Sequence, residues 1–273
     1  MADHATADTI EGTSTSMTLP PSPISKDSRK LHLFKAIQGR LQHEYPTKYL
    51  WDFYHDKHSN STDYADRLTL YNDKPIDNMI LFMQYYNNFP FTGLRMKDAA
   101  HFFKHTVKPI WEDARNQDGG AWHFRVPEED SNSLPTVPTQ QIQDPIALQF
   151  FQQVLLAAVS DDFGDLIQPR DDICGVSVTR RWKAWIIMIW TRRAGEVKTI
   201  QSIKDAVLSE APAAVRSALQ FEKNCYYKKH REHDEFDEAL AKRLLDEYEK
   251  KKAANEIISP DDERPRRTDQ MPF

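Results

Sequence analysis

Apolar positions in the middle of this chain follow two rhythms. Tyr49-x-Trp51-x-Phe53 and Val176-x-Val178 recur every second residue, and Ile186 to Thr191 is a β-branched run ending in an aromatic, Trp190, so each predicts a strand. Asp77 followed by Met79, Phe82, Met83 and Tyr86 predicts a capped helix with apolar residues at i, i+3, i+4 and i+7. Asp144-Pro145 ahead of Leu148, Phe151 and Leu155 predicts a second helix with proline in its first turn, and Ile200, Ile203 and Val207 mark a third. Short strands mixed with longer helices make an α+β domain, with a loop over Pro135 to Pro138.

The ends differ in character. Residues 1–30 contain no aromatic residue, are rich in Ser and Thr and carry Pro20, Pro21 and Pro23, so they are expected to be a disordered tail. The domain is expected over 31–230. Phe236, Leu240, Leu244, Leu245 and Tyr248 then fall at helical spacing in a charge-dense stretch, which predicts an amphipathic helical extension over 231–257. A disordered tail is expected over 258–273.

Of 273 residues, 40% are hydrophobic and 28% charged, the formal net charge is −5 and the mean hydropathy is −0.69, values of a water-soluble chain with no membrane association. Acidity argues at first against nucleic acid, whose phosphates call for basic excess. The charge is unevenly spread, however. Residues 1–30 hold 3 basic and 4 acidic groups and residues 232–273 hold 8 and 13, which leaves 25 basic and 24 acidic over 31–231, a net of +1. Two cysteines, Cys174 and Cys225, are too few for a disulfide framework, and no secretory leader is evident, so a reducing compartment is expected: cytoplasmic, with Lys228-Lys229-His230-Arg231 as a short basic run that would suit a nuclear signal.

Catalytic signals are sparse. Neither G-x-G-x-x-G nor G-x-x-x-x-G-K-[ST] occurs, which weighs against dinucleotide and triphosphatase chemistry. His101 and His105, four apart on an expected helix, and Cys225 with His230 and His233 lack a four-ligand metal spacing, so no metal and no cofactor are expected. Cys174 in a strand reads as a packed structural thiol. No nucleophile and base are paired, and the chain is not expected to be an enzyme.

Lys108-Pro109-Ile110-Trp111-Glu112-Asp113 followed by Gly119-Gly120-Ala121-Trp122 is the informative segment. A tryptophan beside a carboxylate offers a flat π surface and an acceptor pair, which suits a purine whose N–H edge the carboxylate reads. Taken alone, the tripeptide is more often a core tryptophan next to a helix-capping acid.

The full run, Lys108-Pro109-Ile110-Trp111-Glu112-Asp113-x-x-Asn116-x-x-Gly119-Gly120-x-Trp122, resembles the motif of the eukaryotic translation initiation factor 4E family, which binds the messenger RNA 5′ cap. Asp171-Asp172-Ile173-Cys174-Gly175-Val176-Ser177-Val178, then Arg181 and Ile187-x-Ile189-Trp190-Thr191, agree in order and spacing, and the similarity covers about residues 45 to 225. It implies a curved antiparallel sheet with three helices on its convex face and the 7-methylguanosine cap in its concave face. By resemblance, Trp111 is a stacking aromatic, Glu112 reads guanine, Trp190 contacts the N7-methyl group, and Arg181, with help from Lys183, meets the phosphates. Ser61-Thr62-Asp63-Tyr64 aligns with the homologues that carry a tyrosine as the other stacking aromatic, so Tyr64 is expected in that role; its other reading is an exposed loop tyrosine.

Departures at the phosphate contacts and at the partner-binding surface qualify the resemblance. Ala121 and Ile186 stand where the family carries basic phosphate contacts, and Arg192, Arg193, Lys228 and Lys229 are the nearby candidates to replace them. Met83 stands where the convex-face helix usually presents a tryptophan to Tyr-x-x-x-x-Leu-Φ helices, and Tyr45-Pro46-Thr47 replaces a His-Pro-Leu segment. The partners implied are capped mRNA and, with the docking tryptophan replaced, scaffold 4G or 4E-binding repressor proteins; a monomer is expected. Two functions follow: cap binding that regulates translation initiation, or a 4E-like protein–protein scaffold with weak or no cap binding.

Overall fold

Period-two alternation gives each strand one large apolar side, and in the computed structural model those sides coincide. The structure describes residues 45–59, 67–128, 145–161, 163, 172–254 and 256. Eight strands form one antiparallel sheet: β1 (Pro46–Asp56), β2 (Leu68–Leu70), β3 (Ile76–Asn78), β4 (Ala99–Lys104), β5 (Gly120–Pro127), β6 (Ile173–Arg181), β7 (Ala184–Thr191) and β8 (Cys225–Lys229), in the order β2-β1-β4-β6-β7-β5-β8 with β3 also on β1. Five α-helices lie among the described residues: α1 (Met79–Asn88), α2 (Ile146–Val159), α3 (Val197–Glu210), α4 (Ala213–Leu219) and α5 (Glu238–Ala253).

Trp51 and Phe53 of β1, Phe102 of β4, Trp122 and Phe124 of β5, Val176 and Val178 of β6, and Trp185, Ile187 and Ile189 of β7 meet the apolar stripes of α1 to α4 in one core. Each fully buried residue of this size contributes about 1.5 to 3 kcal/mol of transfer free energy, so this face carries the stability. The opposite face bears a smaller cluster of Phe103, Val107, Ala121, Cys174 and Trp190, against which Tyr54, Trp111 and Met188 pack. Separate clusters on the two faces leave the second free to hold a site.

The three expected strands and three expected helices are present, with shifted ends. The α1 cap is Asn78, whose side chain accepts from the Leu81 N–H at 2.8 Å, while Asp77 belongs to β3. Pro145 sits at the cap position of α2 itself, one residue before the first turn. The C-terminal helix begins at Glu238, because the Asp237 carboxylate caps the Ala239 and Leu240 amides at 2.9 and 3.0 Å. Residues 231–237 therefore do not belong to the helical extension expected over 231–257. His101 lies in β4, not on a helix, paired with Ser177 of β6. The expected tail over 1–30 and the loop over Pro135 to Pro138 fall outside the described residues, as does the tail over 258–273. No described helix is long and apolar enough to cross a membrane.

Candidate functional site

The loop between β4 and β5 is tied to itself by its own polar residues. Asn116 is fully buried and donates from Nδ2 to the carbonyls of Lys108 and Ile110, both at 2.8 Å. The Asp113 carboxylate accepts from the Lys108 and Arg115 amides at 3.0 and 2.9 Å, and burial pushes its pKa up to about 6. These contacts clamp both sides of Ile110-Trp111-Glu112. The double glycine that follows is required by close approach: a Cβ on Gly119 would lie 1.8 Å from the Thr191 carbonyl oxygen, and one on Gly120 would lie 2.6 Å from that of Lys228. Asp113, Asn116, Gly119 and Gly120 thus build the platform, and Trp111 and Glu112 are what it presents.

Trp111 and Glu112 come together with Trp190 on the face away from the helical core. Trp111 is half-buried and Glu112 buried, and Trp190 stands edge-on to Phe103 with ring centroids 5.2 Å apart. The Trp190 indole N–H has no hydrogen-bond partner among the described residues. Tyr64 lies outside the described residues.

The segment just after β8 lies over these groups. His233 stacks on Trp111 with centroids 3.9 Å apart and planes 14° from parallel, and the Asp237 N–H donates to Glu112 Oε1 at 3.1 Å. The His230 ring, fully buried, has its centroid 4.5 Å from that of Trp190, and the His230 backbone N–H donates to the Gly119 carbonyl at 3.0 Å, which extends the β5–β8 ladder by one bond. Burial drives the imidazole pKa down to about 3 for His230, and burial with the charge of Lys228 takes His233 down to about 4, so both rings are neutral near pH 7. Sequence reasoning did not find this arrangement, because it read the segment as helix; the Asp237 capping position was the available signal that the helix starts later.

Basic residues are spread in rows along this face. Lys228 of β8, Ala121 of β5 and Trp190 of β7 lie side by side, as do Tyr226, His123 and Met188 in the next row, with Arg125 opposite Ile186 in the third. Lys228 is the cross-strand neighbour of Ala121 and so brings a cation to the position whose own side chain lacks one. Arg181, opposite Ala184 at the far end of the hairpin, is three rows and about 20 Å of strand from Trp190. Lys183 is exposed in the β6–β7 turn with φ of 52°. Of the other candidates, Arg193 is paired to the buried Asp172 carboxylate at 3.1 Å and Lys229 faces Glu232 at 4.0 Å. Arg125, half-buried on the site's own face, was missed; the alternation Ala121, His123, Arg125 was its signal.

Other singled-out residues are structural. Cys174 is buried, donates its S–H to the Arg115 carbonyl at 3.4 Å, and burial pushes its thiol up to about 12. His101 pairs with the Ser177 hydroxyl at 2.7 Å within the sheet. His105 pairs with the Asp52 carboxylate at 2.8 Å, which raises its pKa. Met83 is half-buried on α1, packed against the main core.

The sequence profile of the family described as "Eukaryotic initiation factor 4E" matches residues 46–243. Among curated relatives, "Eukaryotic translation initiation factor NCBP" of Arabidopsis thaliana is 29% identical over 107 residues, 39% of each chain. "Eukaryotic translation initiation factor 4E" of Homo sapiens is 26% identical over 173 residues, 63% of this chain and 72% of that one. The match thus spans about two fifths of the length of the plant relatives. Among solved structures, Caenorhabditis elegans eIF4E-3 in complex with the 4E-binding protein Mextli and cap analog has a TM-score of 0.51 at 24% identity, covering 68% of this chain and 93% of that one. A schistosome eIF4E complexed with m7GpppG and 4E-BP has a TM-score of 0.52 at 18% identity, covering 71% and 94%. At these identities the likeness is one of fold.

Proposed function

The chain belongs to the eukaryotic initiation factor 4E family, and on that premise we propose that it holds the 7-methylguanosine 5′ cap of messenger RNA and acts in translation initiation by binding, without turnover. The observation that carries this is the indole of Trp111 next to the buried carboxylate of Glu112 on one braced loop. That pair already accepts a flat ring at 3.9 Å and an N–H at 3.1 Å from the chain's own residues.

In the bound state the methylated guanine stacks on Trp111, and its N1–H and exocyclic N–H donate to the Glu112 carboxylate. Methylation at N7 makes the base cationic, which adds a cation–π term of about 0.5 to 2 kcal/mol per aromatic face. Stacking itself is worth about 1 to 3 kcal/mol per base. Trp190 takes the methyl group and Tyr64 closes the other side of the base. Lys228 and Arg125 serve the nearer phosphates, and Arg181 with Lys183 the more distant ones. Met83 and its helix α1 are the surface offered to a 4E-binding helix, with a flexible thioether in place of a rigid indole.

Retention on immobilised 7-methyl-GTP is the test. Trp111→Ala abolishes retention and Glu112→Ala relaxes guanine preference; elution of the wild type by GTP as readily as by 7-methyl-GTP contradicts cap binding. A second reading, a 4E-like scaffold with weak or no cap binding, is favoured by Ala121 and Ile186 at positions where phosphate contacts are expected. It predicts partner capture through residues 230–257 with no quenching of tryptophan fluorescence by 7-methyl-GTP.

A further inference from the structure

We propose that the segment His230–Asp237 is an internal occupant of the cap site, so that the protein is self-inhibited and binds cap by displacing its own chain; the inference rests on the cap-binding reading of Trp111 and Glu112. One short stretch of chain meets three site residues in the manner a guanine would. The His233 ring lies on Trp111 at the spacing of a stacked base, the Asp237 N–H takes the Glu112 oxygen that a guanine N–H would take, and the His230 ring lies against Trp190. Engagement of Glu112 together with Trp111 identifies the covered indole face as the one a base would use. Two rings cannot share that face, so His233 and a base exclude one another.

The covering segment is fixed weakly enough to leave. Past the His230 backbone N–H bond to Gly119 the β5–β8 ladder ends, and the next ties to the rest of the domain are the contacts of the exposed Arg231 with Asp118 at 3.2 Å and with Gln117 at 3.4 Å. Exposed pairs of this kind are screened by salt and hold little. The closed arrangement also strands polar groups: both His230 ring nitrogens and the Trp190 indole N–H lack hydrogen-bond partners among the described residues. Asp237 caps α5, so a departing segment carries the start of that helix with it, hinged at Lys229–His230 where β8 ends. Such a closed form lowers apparent affinity by the fraction of molecules that are open.

The test is made on the full-length chain. Cap affinity is read by fluorescence titration with 7-methyl-GTP for the wild type and for a double variant carrying Arg231→Ala and His233→Ala, with hydrogen exchange of the wild type followed alongside. The expected result is at least about fivefold tighter binding by the double variant, and faster amide exchange over 231–240 of the wild type when ligand is added while residues 109–113 are protected. His233→Trp, which keeps a flat ring on Trp111, is expected to weaken binding. Equal affinity of wild type and double variant, both folded by circular dichroism, overturns self-inhibition and leaves cap binding standing. Failure of both proteins to bind with the cover removed overturns the cap-binding reading and this inference with it.

Discussion

Replacing Asn116 by alanine tests whether the braced loop makes the site. Asn116 is fully buried, and its side-chain amide is the shared donor to the Lys108 and Ile110 carbonyls, at 2.8 Å each. Truncation removes two hydrogen bonds to part-buried carbonyls that keep backbone donors from Ile110 and Asp113, at about 0.5 to 1.5 kcal/mol each, so a loss of about 1 to 3 kcal/mol is expected. A domain stable by about 5 to 15 kcal/mol remains folded after such a loss, which allows binding to be measured on the same sample. With the clamp gone, Trp111 and Glu112 lose their fixed relation, and affinity for 7-methyl-GTP falls more than tenfold. Asn116→Asp keeps the shape while turning both donor contacts into acceptor–acceptor contacts, and is expected to be at least as damaging. Urea unfolding gives the first quantity and fluorescence titration the second. A variant that loses stability as calculated but binds like the wild type would refute the claim that this loop presents the site.

Three further outcomes are expected. Gly175→Ala places a Cβ 2.5 Å from the Phe103 ring and 2.7 Å from the Phe102 carbonyl oxygen, so urea unfolding should reveal a loss of about 1 to 3 kcal/mol; an unchanged midpoint contradicts the packing account. Burial takes the His101 pKa from its ordinary 6.5 down to about 3, so between these values the unfolded chain binds a proton that the folded chain refuses, and stability is lost as pH falls below about 6.5, at up to about 1.4 kcal/mol per pH unit. His101→Asn removes that contribution, and unfolding at pH 7.5 and 5.5 should reveal a smaller acid loss than in the wild type; equal losses contradict it. Lys228→Ala should weaken 7-methyl-GTP binding by about tenfold while changing binding of the uncharged nucleoside little, and equal effects on both ligands would remove Lys228 from the phosphate path.

How much of this was legible follows from where the physics is local. Alternation in Tyr49-x-Trp51-x-Phe53 and Val176-x-Val178 and the 3.6-residue spacing in α1 to α3 reported elements directly, because those side chains fill one core. The Trp111 platform was legible as a motif, and its physical content is now visible: Asp113 and Asn116 hold backbone, and Gly119 and Gly120 yield space to Thr191 and Lys228. Lys228 beside Ala121 could not be assigned without the β5–β8 register, since the two are more than a hundred residues apart. His233 on Trp111 was hidden for a different reason. Charge density and helical spacing ran continuously through residues 231–257, and the Asp237 cap that divides the stretch is a single-residue signal. Tyr64 falls outside the described residues and keeps its place only in the proposal.

The most direct measurement of cap binding is a tryptophan fluorescence titration of the full-length chain with 7-methyl-GTP and with GTP in parallel. Saturable quenching by the methylated nucleotide, with GTP weaker by about fivefold or more as a cation–π term at two aromatic faces requires, is the predicted result. Equal titration curves for the two nucleotides, or no quenching by either, would contradict it.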